Sequence, residues 1–68
     1  MYAVKGTNLG NGNVHYTRCR DFVDACDTLR RVLREMEDAD WVEGEDFTAE
    51  IAEVDDDFDF DGQPAWWN

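Results

Sequence analysis

Six consecutive residues, Asp57-Phe58-Asp59-Phe60-Asp61-Gly62, place carboxylates at alternate positions and follow them with a glycine. That is the spacing with which a calcium-binding loop opens, since a hard cation takes several oxygen ligands and the glycine permits the sharp turn that gathers them. The remainder of such a loop is missing. Its eighth position is Pro64 where an apolar strand residue belongs, its twelfth is Asn68 where a bidentate Glu belongs, and Phe58 and Phe60 are unusual inside it. The sequence therefore predicts no specific metal site and no cofactor, only weak divalent screening of an acidic strip.

Other chemistry is harder still to assemble. His15 is the single histidine and belongs to no partner motif, so it reads as a solvent-facing strand residue. Cys19 and Cys26 make neither a disulfide framework nor a zinc pattern, and both are expected to be reduced. The glycine-rich run Thr7 to Asn13 could cradle phosphate only if it led into a helix, and it leads instead into the alternating strand that begins at Val14. With no nucleophile elbow, no Cys–His pair with an orienting third residue and no cleft to single out one carboxylate pair, the chain reads as a non-enzyme.

Charge is the dominant signal. Of the 17 acids, 14 lie from Glu35 onward, where there is no Lys or Arg; residues 1–34 hold Asp21, Asp24 and Asp27 and all 6 bases. The two parts carry +3 and −14, giving the net −11. Such a one-sided field attracts cationic surfaces and repels nucleic acid and anionic membrane. Arg30, Arg31 and Arg34 form a basic cluster, read here as neutralising the chain's own acids. No segment approaches the ~18 apolar residues of a membrane span, and no basic start followed by an apolar run marks a signal peptide, so the expected location is cytoplasmic.

The elements that must position these charges are set by periodicity. Tyr2 to Gly6 and Val14 to Cys19 are β-prone and flank the Gly/Asn turn, predicting a hairpin. Asp21 reads as the N-cap of a helix from Phe22 to about Asp40, with Asp24 at N3. The apolar set Phe22, Val23, Cys26, Leu29, Val32, Leu33 and Met36 forms its core face, and Asp27–Arg31 and Arg31–Glu35 pair on its outer face. Gly44 marks a turn, and Phe47 to Val54 reads as a third strand with Phe47, Ala49 and Ile51 on one face. The fold class is α+β: a small antiparallel sheet in β-β-α-β order, covered on one face by a single amphipathic helix. Residues 1–54 make the compact domain. Residues 55–68 form an acidic and aromatic C-terminal segment of the same domain, as an edge strand or a mobile tail, ending in Trp66-Trp67, of which at least one is expected to be exposed.

The size, the acidic run with Asp55, Asp56, Asp57, Asp59 and Asp61, and the interleaving of aromatics with acids resemble, by class, the small acidic phage-encoded DNA-mimic inhibitors, which include anti-CRISPR and anti-restriction proteins. The resemblance implies a non-catalytic inhibitor in the host-cell cytoplasm. It would occupy the basic DNA- or RNA-binding site of a defence complex, such as a CRISPR effector, touching neither nucleic acid nor membrane itself and acting as a monomer or weak dimer. The partner-binding residues would be Glu50, Glu53, Asp55, Asp56, Asp57, Asp59, Asp61, Trp66 and Trp67. Two other readings stand beside it: a small adaptor docking through the Trp66-Trp67 tail or a strand edge, and a halophile-adapted protein whose acids serve high salt.

Overall fold

The computed structural model describes residues 1–63. Strands β1 (Tyr2–Asn8), β2 (Val14–Cys19) and β3 (Phe47–Glu53) and helix α1 (Phe22–Asp38) are arranged in β-β-α-β order. The sheet is antiparallel with strand order β2-β1-β3, so the first strand is the middle one. Tyr2 pairs with Cys19 on one side and with Glu53 on the other.

β1 runs two residues past the predicted Gly6 because Thr7 and Asn8 still find partners in Thr48 and Phe47. The reversal after it is built on Asn8. Its backbone N–H donates to the Asn13 carbonyl (2.8 Å), its carbonyl accepts from Gly12 (2.7 Å), and its buried side chain accepts from the Gly10 N–H (2.8 Å). Gly12 closes the turn at φ 78°, a conformation that costs glycine nothing and a side chain about 1–2 kcal/mol.

At the start of α1 the Asp21 carboxylate accepts from the Asp24 N–H at 2.8 Å, and Asp24 reaches back to the Arg20 N–H at 2.8 Å. The first bond satisfies a donor that the first helical turn cannot satisfy itself, and the second ties down the residue before the cap. At the other end the Trp41 N–H returns to the Met36 carbonyl (2.9 Å) and the Asp40 N–H to Glu37 (3.0 Å). That is the Schellman closure, and its left-handed position is filled by Asp40 at φ 66° instead of the usual glycine.

The core lies between α1 and one face of the sheet. Val4, Cys19 and Ala25 are its buried centre, with Tyr2, Leu29, Val32 and Ile51 packed around them. Phe47 and Val4 are the largest fully buried side chains, and each contributes about 1.5–3 kcal/mol through burial. The helix face differs from the predicted one at its N-terminal end. Phe22 and Val23 are 53% and 69% exposed, while Ala25 and Thr28 are the buried helical residues. Small side chains there let the backbone of α1 approach the sheet closely, which a ranking by hydrophobicity alone does not reveal. The outer-face ion pairs also differ: Asp27 pairs with Arg30 at 2.6 Å, three residues on, instead of with Arg31. His15 is half-buried on the helix side of β2, so the solvent exposure expected of it is only partial. Both cysteines are free, and Cys19 is the buried one.

Among the described residues, no helix is long and apolar enough to cross a membrane.

Candidate partner-binding surface

Side chains alternate across a strand, so Ala3, Lys5, Tyr16, Arg18 and Glu50 point away from the helix. Ala3 is nevertheless 0% exposed. The acidic segment turns back over this second face. The Phe58 ring meets Tyr16 edge-on at 4.8 Å and Phe60 at 4.7 Å, and the Arg18 guanidinium lies 4.9 Å from the centre of the Phe60 ring. Aromatic pairs at these distances add about 0.5–1.5 kcal/mol each beyond area burial, and an exposed cation–π contact adds about 0.5–1 kcal/mol.

The segment ends on an unusual clasp. Gln63 accepts from the Tyr16 N–H through Oε1 (2.6 Å) and donates through Nε2 to the Tyr16 carbonyl (2.9 Å) and to the Phe60 carbonyl (3.0 Å). A side-chain amide carries the same donor and acceptor as a peptide unit, so Gln63 completes the outer edge of β2 as one residue of a further strand would. Of the two forms expected for the acidic segment, an edge strand or a mobile tail, residues 55–61 do not take the strand; they form turns and bends, and pairing with the sheet is limited to this amide. Side-chain contacts to Tyr16 and Arg18 take the place of a backbone ladder.

The carboxylates consequently face water. Asp55, Asp56, Asp57, Asp59 and Asp61 are all exposed, whereas Phe58 and Phe60 are half-buried. Asp59 is partly engaged within the segment, its Oδ1 accepting from the Asp61 and Gly62 N–H groups at 3.0 and 3.1 Å. A methyl group at Gly62 would stand 2.5 Å from Asp59 Oδ2, which gives the Asp-Gly pair of the calcium-like spacing a structural use in this turn. Asp56 lies 4.0 Å from the amino group of Met1. Among the described residues no group of three or more His, Cys, Asp or Glu side chains converges as metal ligands would.

The remaining candidate residues are not all brought together. Glu50 is on the second face with the acidic segment and reaches Lys5 at 3.9 Å. Glu53 stands two positions after Ile51 and so projects on the helix side of the sheet. Trp66 and Trp67 lie outside the described residues. Tyr16, Arg18 and Gln63, which hold the acidic segment in place, went unrecognised in the sequence. The available signal was the two-residue spacing of Tyr16 and Arg18, which matches that of Phe58 and Phe60.

A second concentration of acid surrounds the end of α1. Glu35, Glu37 and Asp38 occupy its last turn, which carries no base, and Asp40, Glu43 and Glu45 continue into the loop. The negative end of the helix dipole adds to these charges, an arrangement that costs stability and deepens the local negative potential. Beside it, Leu33, Trp41, Val42 and Phe47 line a shallow depression of about 380 Å³ rimmed by Glu37 and Glu43. At the opposite charge extreme, Arg30, Arg31 and Arg34 sit together on α1 beside Asp27.

Comparison of the chain with protein-family models, with curated proteins and with solved structures finds no match.

Proposed function

We propose that this protein is a non-catalytic acidic inhibitor that imitates nucleic acid and occupies the basic DNA- or RNA-binding site of a host defence complex, such as a CRISPR effector or a restriction system. The observation that carries this reading is the division of labour in residues 55–61. Phe58 and Phe60 turn inward onto Tyr16 and Arg18, and Asp55, Asp57, Asp59 and Asp61 are left exposed on a segment clasped at its end by Gln63. Carboxylates carried on a segment packed against the sheet lose less ordering entropy on binding than the same residues on a floppy chain. They meet a cationic groove as phosphates do, through charge. The acidic pole at the end of α1 extends the same field, and the net −11 speeds encounter with a positive partner. The protein acts in the cytoplasm of the host as a monomer or weak dimer and binds neither nucleic acid nor membrane.

The test is competition. Labelled DNA bound to a purified CRISPR effector or restriction complex is titrated with this protein, and release is monitored by fluorescence anisotropy at several salt concentrations. Release is expected, weakening as salt rises. Converting Asp55, Asp57 and Asp61 to Lys is expected to abolish it while circular dichroism stays unchanged. Asp59 is left intact because its carboxylate holds the turn. A triple variant that competes as well as the parent sinks the reading.

The depression at Leu33, Trp41, Val42 and Phe47 favours a second reading, a small adaptor that receives an apolar side chain of its partner there. Binding that survives high salt and the Asp-to-Lys changes, and is lost in Val42→Asp, would select it.

A further inference from the structure

The two edges of the sheet are finished differently. On β2 the outward N–H and C=O of Tyr16 are both taken by Gln63. On β3 the phase of the ladder is fixed by two flanking bonds, Leu9 N–H to the Asp46 carbonyl at 3.0 Å and Val54 N–H to the Met1 carbonyl at 2.8 Å. Antiparallel pairs alternate between bonded and non-bonded. With Asp46 and Val54 bonded to the β1 side, Thr48, Glu50 and Ala52 turn their backbone groups toward β1, and Ala49, Ile51 and Glu53 turn theirs outward. The Phe47 carbonyl at the start of this edge is closed by the Gly44 N–H at 2.8 Å. Among the described residues no hydrogen bond closes Ala49, Ile51 or Glu53.

We infer that the β3 edge from Ala49 to Glu53 is a strand-addition site for an extended, lysine- or arginine-bearing segment of a protein partner. An edge of this kind offers a row of paired donors and acceptors that an incoming strand satisfies at once. Its charge selects the occupant. Glu50 projects on one face and Glu53 on the other, and Asp46 and Asp55 stand beyond the two ends of the strand. A second copy of β3 laid antiparallel in full overlap would centre on Glu50 and set that carboxylate against its own copy, which is destabilising, whereas a strand with basic side chains meets an acid on either face. The carboxylates that keep this edge from pairing with itself thus admit a cationic strand. The inference does not depend on nucleic-acid mimicry, since it concerns the backbone of β3 and not the Asp55–Asp61 row.

The probe is a short acetylated and amidated peptide alternating Lys and Val, with binding read by amide NMR on the whole chain. Binding is expected to shift the Ala49, Ile51 and Glu53 amides and slow their hydrogen exchange. N-methylation of alternate amides of the peptide keeps its charge and removes its strand hydrogen bonds, and it is expected to weaken binding on the order of tenfold or more, as loss of about two net hydrogen bonds implies. A Glu–Val peptide is expected not to bind. Ala49→Pro removes one outward N–H without touching the β1 ladder, so it is expected to stay folded and to lose the peptide. If that variant unfolds, the N-methylated peptide alone decides. Equal binding of the methylated peptide, shifts confined to residues 55–61, or self-association through β3 in the absence of peptide would each overturn the inference. The DNA-competition experiment is independent of all three results.

Discussion

Gln63→Glu is the most informative single change, because it alters hydrogen-bond polarity with almost no change of shape. In the parent, one amide makes three contacts of 2.6, 2.9 and 3.0 Å, one as acceptor and two as donor. A carboxylate keeps the Tyr16 N–H contact. It loses both donations and sets an anionic oxygen against the Tyr16 and Phe60 carbonyls. Two lost bonds at about 0.5–1.5 kcal/mol each give about 1–3 kcal/mol, before the added repulsion. Gln63→Ala loses all three contacts, but water can reach the part-buried Tyr16 groups once the side chain is gone, so its cost falls near the low end of its own range. Glu is therefore expected to be at least as damaging as Ala, a ranking that size alone would reverse. Gln63→Asn, which keeps the charge of the parent and falls one methylene short, is expected to lie between the parent and Glu. Hydrogen exchange of the Tyr16 amide reads the clasp directly, and both Glu and Ala variants are expected to speed it about ten- to a hundredfold, given that 1.4 kcal/mol is a factor of ten. If the Tyr16 amide in Gln63→Ala, which has no acceptor left, exchanges as slowly as in the parent, the side-chain amide is not what holds residues 55–63 to the sheet.

Two further changes test the framework. Asp40→Gly relieves a side chain held at φ 66° and removes an acid from the negative end of α1, so it should stabilise by about 1 kcal/mol and raise Tm by about 4–8 °C in a thermal melt. An unchanged or lower Tm would contradict the Schellman assignment. Phe47→Ala empties the largest buried site and is expected to cost about 3–5 kcal/mol. For a chain of this length total stability is about 3–10 kcal/mol, so loss of the cooperative transition in circular dichroism is the expected result.

The order of elements was legible because each carries its own period. Alternation marks Val14–Cys19 and Phe47–Glu53, three- and four-residue spacing marks α1, and Asp21 with Asp24 announces the start of the helix. What the pattern could not convey was depth. Ala25 and Thr28 are innermost because α1 approaches the sheet there, a property of the packed pair and not of either residue. The fate of the acidic segment was illegible for a related reason. The alternation of Phe and Asp in 57–61 is equally compatible with a ladder and with a strap. The choice between them is made by Tyr16, whose contact with Gln63 spans 47 residues of sequence. The exposure of the carboxylates survives either way, and so that part of the candidate site was readable while the clasp beneath it was not.

Placing the first strand in the middle of the sheet has a consequence for how the chain reaches this fold. The β1–β2 hairpin and α1 need only near neighbours, but the pairing of Tyr2 with Glu53 closes across nearly the whole described chain. Loop-closure entropy must be met before that contact returns any stabilisation, so docking of β3 is the natural slow step. Until it occurs, β1 shows a bare edge on the side that β3 will cover. A chain interrupted before Phe47 would keep that edge permanently. It would also lack every acid from Glu50 onward, the ones that keep the finished molecule from pairing with its own kind, and insolubility of such fragments would result from the bare edge and the lost charge together.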